Sequence, residues 1–201
     1  MTLLIYKTIE FNVNKEVGHM EMEAAIIKIL ETHGKSIYNF CFYLTGEICE
    51  AEDLYQDTIL TVWEKRNKRD FLMLFSKIND EESNKKLKNY FLGVAANIWK
   101  NKWRKKKRHN MLAPIDENED SLGKAVNLEG NPEEILIREE LNRKIRGLVD
   151  NLSPKLKQVV VMYYAGQMTT EEIARQLKIP ASTVRGRLFK ARKILNQQWK
   201  Y

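Results

Sequence analysis

The sequence predicts an all-α protein with two small helical domains joined by a flexible acidic linker. Apolar residues recur every three or four positions in segments on both sides of the chain's midpoint. Between those segments, residues 110–131 are acidic, contain two glycines and show no helical period. Near the C-terminus, a short helix, a tight turn and a longer helix are indicated between Thr169 and Arg192. We therefore divide the chain into residues 1–21, 22–109, 110–131 and 132–201.

The composition narrows the functional classes. The 201 residues include 43% apolar residues, and the net charge of +7 favours a polyanionic partner. Cys41 and Cys49 form no CxxC pattern, and the three histidines, His19, His33 and His109, suggest no metal set. There is no phosphate loop or nucleophile motif. We therefore expect no enzyme activity, no cofactor and no metal.

The location is predicted from two negative observations. No apolar run approaches the roughly 20 residues of a membrane span, and the N-terminus lacks a basic-then-apolar signal pattern. A cytoplasmic protein is expected.

The N-terminal extension is unassigned. Ile9, Phe11 and Val13 alternate as in a strand, and the segment could also be a flexible tail. From Met22 onward the period becomes helical, with two buried stripes that end at Gly46. Their members are Ala25, Ile26, Ile29, Leu30, Ile37, Phe40, Cys41 and Leu44.

The next predicted helix covers residues 50–66 and has an acidic outer face that contains a leucine. Its buried stripe is Ala51, Leu54, Tyr55, Thr58, Ile59 and Val62, and its outer face is Asp53, Gln56, Asp57, Leu60 and Glu64. A solvated face is one interpretation. A leucine among carboxylates also suits docking to a basic protein surface.

A long connection, residues 67–86, separates this helix from the following one. It contains Phe71, Leu72, Leu74 and Phe75, whereas residues 79–84 are polar and loop-like. Two interpretations are open: the apolar side chains pack on the first domain, or the segment is an inert surface insertion.

The helix predicted over residues 87–108 changes character at Trp99. Before it, Leu87, Phe91, Val94, Ala95 and Ile98 form a core stripe. After it come seven cations on all sides of the helix: Lys100, Lys102, Arg104, Lys105, Lys106, Lys107 and Arg108. Cations beside Trp99 and Trp103 suit single-stranded nucleic acid, where bases stack on aromatic rings. The alternative is that both tryptophans belong to the core.

The second domain ends in a predicted helix-turn-helix. Pro132 and Pro154 open two helices at first-turn positions. Thr169 and Glu172 then have the spacing of a capping box. After Pro180, a longer helix buries Val184, Leu188, Ala191 and Leu195 and turns outward Ser182, Arg185, Gly186, Phe189, Lys190 and Lys193. The alternative is an ordinary helical hairpin with a solvated basic face. An exposed Phe189 among cations suits contact with bases better than contact with water.

These motifs, in this order, resemble the extracytoplasmic-function (ECF) class of bacterial sigma factors. The resemblance lies in AEDLYQDTILTVW (Ala51 to Trp63), FLGVAANIWKNKWRKKKR (Phe91 to Arg108) and the segment from Leu152 to Leu195. It implies that residues 22–109 form sigma domain two and residues 132–201 form sigma domain four. The implied partners are promoter DNA and core RNA polymerase, through the clamp of its largest catalytic subunit and its flap. An anti-sigma factor is a further candidate.

The resemblance also assigns site residues. Polymerase-binding positions match Asp53, Gln56, Asp57 and Leu60. Minus-ten binding and melting positions match Asn97, Trp99, Lys100, Trp103, Arg104, Lys105, Lys106 and Arg108. Minus-thirty-five positions match Ser182, Thr183, Arg185, Phe189 and Lys190.

Three departures from the family concern promoter preference. Gly186 stands where a serine is common, Lys178 where a glycine is frequent, and residues 67–86 exceed the usual length. The alternative function is a stand-alone helix-turn-helix regulator with an N-terminal sensing domain. That protein would bind specific duplexes tightly on its own, whereas a sigma factor of this class should need core polymerase.

Overall fold

The computed structural model describes residues 2–65, 81–110, 140 and 143–199; for residues 2–22, 109 and 110 it describes the backbone alone. Within these ranges the chain has seven helices and no strand, so the all-α prediction is confirmed. They are α1 (Thr2–Thr45), α2 (Ile48–Lys65), α3 (Glu81–Asn110), α4 (residues 143–150), α5 (Pro154–Tyr164), α6 (Thr170–Leu177) and α7 (Ala181–Trp199).

The N-terminal extension is part of helix α1, so the strand suggested around Ile9, Phe11 and Val13 is wrong. A single strand would leave its backbone N–H and C=O groups without a partner strand, whereas a helix pairs them internally. Helix α1 continues to Thr45 and ends where predicted, at Gly46, whose φ of +89° is easily adopted only by glycine.

The first domain is a bundle of α1, α2 and α3, which all pack against one another. The predicted stripes form its core, including Ile26, Phe40, Leu54 and Phe91. Cys41 also lies in this core, and burial raises the pKa of its thiol to about 12 although Thr58 hydrogen-bonds to it. Cys49 is exposed.

The connection before α3 differs from the prediction at its C-terminal end. Residues 81–84, predicted to be a polar loop, are the first turn of α3. Glu81 and Glu82 suit that position because carboxylates interact favourably with a helix N-terminus. The predictions for Phe71, Leu72, Leu74 and Phe75 lie outside the described residues.

The second domain consists of α5, α6 and α7, with α4 preceding it. The capping box is confirmed: Thr169 Oγ1 accepts from the Glu172 amide at 3.2 Å, and Glu172 Oε2 accepts from the Thr169 amide at 2.7 Å. Helix α6 ends at Lys178, which is left-handed with φ 52° and ψ 49°. Helix α7 then buries Val184, Leu188 and Ala191, as predicted.

The two domains pack against each other. Helix α3 contacts both α5 and α6, and α1 contacts α5, so buried side chains from both domains form one continuous core. This arrangement determines which site residues are accessible.

Candidate nucleic-acid and docking surfaces

The outer face of α2 presents three of its four predicted docking residues to solvent. Asp53 and Gln56 are exposed, and Leu60 is 60% exposed although it is a large apolar side chain. Asp57 is only half-exposed, and its Oδ2 lies 2.6 Å from Lys102 Nζ. The structure therefore brings Asp53, Gln56 and Leu60 together as an open face, while Asp57 links α2 to α3.

The C-terminal end of α3 is a basic surface. Every residue from 101 to 108 is exposed. Two of its cations form ion pairs with α2: Lys102 pairs with Asp57, and Lys106 Nζ lies 3.1 Å from Glu50 Oε1. Arg104, Lys105 and Arg108 form no ion pair within the described part of the chain, so their charges remain available to a polyanion.

The two tryptophans of α3 have different environments. Trp99 is only 8% exposed, and Lys157 Nζ of α5 lies 5.5 Å from its ring centroid. Trp103, one turn later, is 36% exposed, with Lys107 Nζ 5.5 Å from its ring centroid. In this arrangement the Trp103 ring is accessible for stacking on a base, whereas Trp99 is covered by the second domain.

Asn97 is exposed, and Lys100 is half-buried close to cations of both domains. Burial lowers the pKa of Lys100, and the positive charges of Arg104, Arg187 and Lys155 lower it further. Helix α7 and helix α5 therefore bring their cations close to the basic surface of α3. Like charges gathered there repel one another unless a polyanion lies between them.

A groove of about 820 Å³ lies between α2, the basic part of α3 and the start of α5. Its wall combines Trp99, Trp103 and Lys107 with the carboxylates Glu50, Asp53 and Asp150. The groove therefore adjoins both the open face of α2 and the basic surface of α3.

The interface between the domains depends on residues that sequence analysis did not select. Gln158 is fully buried, and its Nε2 donates a 2.9 Å hydrogen bond to the Ala96 carbonyl. A Cβ at Gly93 would collide with Gln176 of α6, so glycine permits this close approach. At the other end, Lys85 Nζ lies 3.5 Å from Glu172 Oε1.

A signal for this interface was present in the sequence. Val159, Val160, Val161 and Met162 are four consecutive apolar residues on a helix. They cannot all lie on one face, and such a helix is buried on several sides. This pattern predicts a partner surface beyond the helix-turn-helix itself.

The outward face of α7 agrees with the predicted set. Ser182, Arg185 and Lys190 are exposed, Thr183 is half-exposed, and Phe189 is 73% exposed. Arg185 Nη1 donates to Glu171 Oε1 at 3.1 Å across the turn. The side chains on this face have the cationic and polar groups that contact base edges and phosphates.

Within the described residues, no group of three or more His, Cys, Asp or Glu side chains could hold a metal ion. No helix in those ranges is long and apolar enough to cross a membrane.

Two family models match the chain in the order of its two domains. Sigma-70 region 2 matches residues 29–109, and Sigma-70, region 4 matches residues 142–195. Together they cover both helical domains. The chain therefore belongs to the sigma-70 family of RNA polymerase sigma factors.

The similar proteins identify the class within that family. The ECF sigma factor SigW of Bacillus subtilis is 25% identical over 87% of this chain and 88% of its own length. The ECF sigma factor SigE of Mycolicibacterium smegmatis is 23% identical over 84% of this chain and 59% of its own length. The chain is a member of the ECF class.

A solved structure has the same fold. The sigma factor RpoE of Bartonella quintana, crystallised with the anti-sigma factor NepR, matches with a TM-score of 0.60 and 15% identity. The match covers 90% of this chain and 97% of that one.

Proposed function

We propose that this chain binds core RNA polymerase, directs it to specific promoters and helps to open the DNA. The observation that carries this proposal is the presence of three separate surfaces on one chain: the open face of α2, the basic end of α3 and the outward face of α7. An acidic face with a central leucine suits a basic protein surface, whereas the other two suit nucleic acid. A stand-alone regulator would not need the first surface.

We assign the surfaces by their chemistry. Asp53, Gln56 and Leu60 contact the polymerase clamp, and the exposed cations of α3 hold minus-ten DNA. Trp103 is available for base stacking, which contributes about 1 to 3 kcal/mol per base. Arg185, Phe189 and Lys190 face the minus-thirty-five major groove.

The packing of the two domains supports a requirement for core polymerase. The two promoter elements are separated by about 25 base pairs, or about 85 Å of B-form DNA. Domains that share one core cannot reach both elements together. Polymerase binding would therefore separate the domains, uncover Trp99 and place each domain on its own element.

Under this proposal the catalytic step belongs to the polymerase, and the chain itself is not an enzyme. It acts in the bacterial cytoplasm, where polymerase and DNA are found. Because the Bartonella quintana protein was solved with an anti-sigma factor, an anti-sigma factor is a partner to test by pull-down.

Transcription from genomic DNA by core polymerase, with and without the chain, tests the proposal. A defined set of new start sites is expected only when both are present. The isolated chain should bind those promoters poorly. Tight sequence-specific binding by the isolated chain, with no new start sites, would instead support the stand-alone regulator.

A further inference from the structure

Glu171 connects the two helices of the helix-turn-helix. Its Oε1 accepts the 3.1 Å hydrogen bond from Arg185 Nη1. Thr170 Oγ1 lies 2.9 Å from each of the two carboxylate oxygens, where its single proton can be donated to either. The carboxylate is thus held from its own helix and presented to the arginine of the next one.

This ion pair is poorly placed to stabilise the fold. The side chains of Glu171 and Arg185 are 60% and 61% exposed, and ion pairs in water contribute little to stability. The Thr170 hydroxyl and, across the turn, Arg185 both favour the charged carboxylate and lower its pKa. Glu171 therefore stays ionised at neutral pH and remains a partner for Arg185.

The geometry has a clear use in reading DNA. A free arginine side chain samples many rotamers, and ordering it on binding costs free energy. Guanidinium has five donors in a rigid fork, so one Nη1–H bond to Glu171 leaves others for the O6 and N7 atoms of guanine.

We propose that Glu171 is a positioning residue for promoter recognition, which orients the Arg185 guanidinium toward a guanine in the minus-thirty-five element. This inference rests on the proposed function, because it requires α7 to enter the major groove. Glu171 itself acts through Arg185. Its negative charge also lies close to the DNA, where it opposes attraction of phosphates by neighbouring cations.

These two effects predict a signature that a structural residue would not give. The variant Glu171→Gln should lose about three- to tenfold of the discrimination at one base pair, because the guanidinium is less well ordered. Its affinity for unrelated DNA should rise, and the slope of log K against log salt should steepen by about one. Glu171→Asp keeps the charge but shortens the side chain, so it should lose discrimination without a change in salt slope.

The test uses the full chain with core polymerase and a library with every base pair at each minus-thirty-five position. The variants are Glu171→Gln, Glu171→Asp, Arg185→Ala and the double variant Glu171→Gln with Arg185→Ala. Glu82→Gln is the matched control, since it breaks an exposed pair with Lys86 at 2.8 Å on another helix. In the double variant, Glu171→Gln should cause no further loss of discrimination at the base pair that Arg185 reads.

Additive losses from the two substitutions would overturn the inference, as would an Arg185→Ala variant with unchanged base preferences. Neither result affects the proposed function, which stands as long as start sites depend on the chain. If no start site depends on the unsubstituted chain, the proposed function itself fails.

Discussion

Gln158 Nε2 donates a 2.9 Å hydrogen bond to the backbone carbonyl of Ala96, which lies 62 positions earlier in the chain. The bond joins α5 to α3 across the domain interface, and Gln158 is fully buried. Ala96 lies inside α3, so its carbonyl also accepts a helical hydrogen bond, and the Gln158 amide adds a second bond from the other domain.

Replacing Gln158 by alanine should loosen the interface between the domains. The change removes the hydrogen bond and leaves a small cavity, at a cost of about 1 to 3 kcal/mol. We expect a larger radius of gyration by small-angle scattering and tighter promoter binding by the isolated chain. The exposed Gln197 provides the control, Gln197→Ala. Unchanged scattering from Gln158→Ala would show that the interface does not depend on this bond.

The open face of α2 should tolerate substitution without unfolding of the chain. The pair Asp53→Lys and Leu60→Asp should weaken core polymerase binding at least about tenfold, because central apolar contacts carry much of an interface's energy. Circular dichroism should not change, since both side chains are exposed. Asp57 is avoided because it pairs with Lys102. Glu31→Lys, a charge reversal on α1, is the control. An equal loss of polymerase affinity in the control and in the double variant would show that the open face of α2 is not a specific binding surface.

The cations of α3 should contribute unequally to promoter binding, because some of them form ion pairs within the chain and others do not. Replacing Arg104 and Lys105 by glutamine should weaken promoter binding for all sequences and reduce the salt slope by about 0.7 to 0.9 per lost phosphate contact. Replacing Lys102 and Lys106 should have a smaller effect, because these side chains pair with Asp57 and Glu50. Binding is measured with the polymerase complex at several salt concentrations. Equal slopes for the two double variants would show that the ion pairs do not persist on DNA.

Replacing Lys178 by glycine should stabilise the folded chain. The left-handed backbone at this position, with φ 52°, is unfavourable for a residue with a Cβ and common for glycine at the end of a helix. Lys178→Gly should raise the free energy of unfolding by about 1 kcal/mol. Arg175→Gly, inside α6, should lower it by about the same amount. Urea unfolding of both variants measures the two effects, and a loss of stability in Lys178→Gly would contradict the argument.

Glu172 should make stability sensitive to acid. Burial opposes its ionisation, but hydrogen bonds from Thr169 and the charge of Lys85 outweigh this effect, so its pKa is lowered from 4.5. A carboxyl with a lowered folded-state pKa contributes stability above its unfolded value of 4.5. That contribution is lost as pH falls through the lowered pKa.

The corresponding test compares unfolding free energies from pH 7 to pH 3. Glu172→Gln should show a shallower decline below about pH 4.5 than the unsubstituted chain. Gln197→Ala, which removes an exposed side chain without a titratable group, should follow the unsubstituted chain. Parallel curves for all three proteins would show that Glu172 has no part in the acid dependence.

Features fixed by neighbouring residues were the most predictable. The capping box of Thr169 and Glu172, and the stripe of Val184, Leu188 and Ala191, depend on spacing within one or two turns. The open face around Leu60 also follows from the helical period once the buried side is known.

The domain interface was not predictable in this way. Gln158 and Lys157 are polar residues whose buried positions depend on α3, far away in the chain. Helical periodicity places Trp99 at the edge of a stripe, and the second domain completes its burial. Local periodicity describes one helix at a time and does not say which distant surface covers it.

The contrast between the two cysteines makes the native chain convenient for spectroscopy. Thiolates are the reactive form, and Cys41 is both buried and held protonated at neutral pH, whereas Cys49 is exposed. A maleimide dye should therefore attach at Cys49 alone, without any need to mutate other thiols. That position is the second residue of α2 and adjoins Glu50 in the groove. A single fluorophore there would report, in real time, the arrival of polymerase and the departure of the second domain.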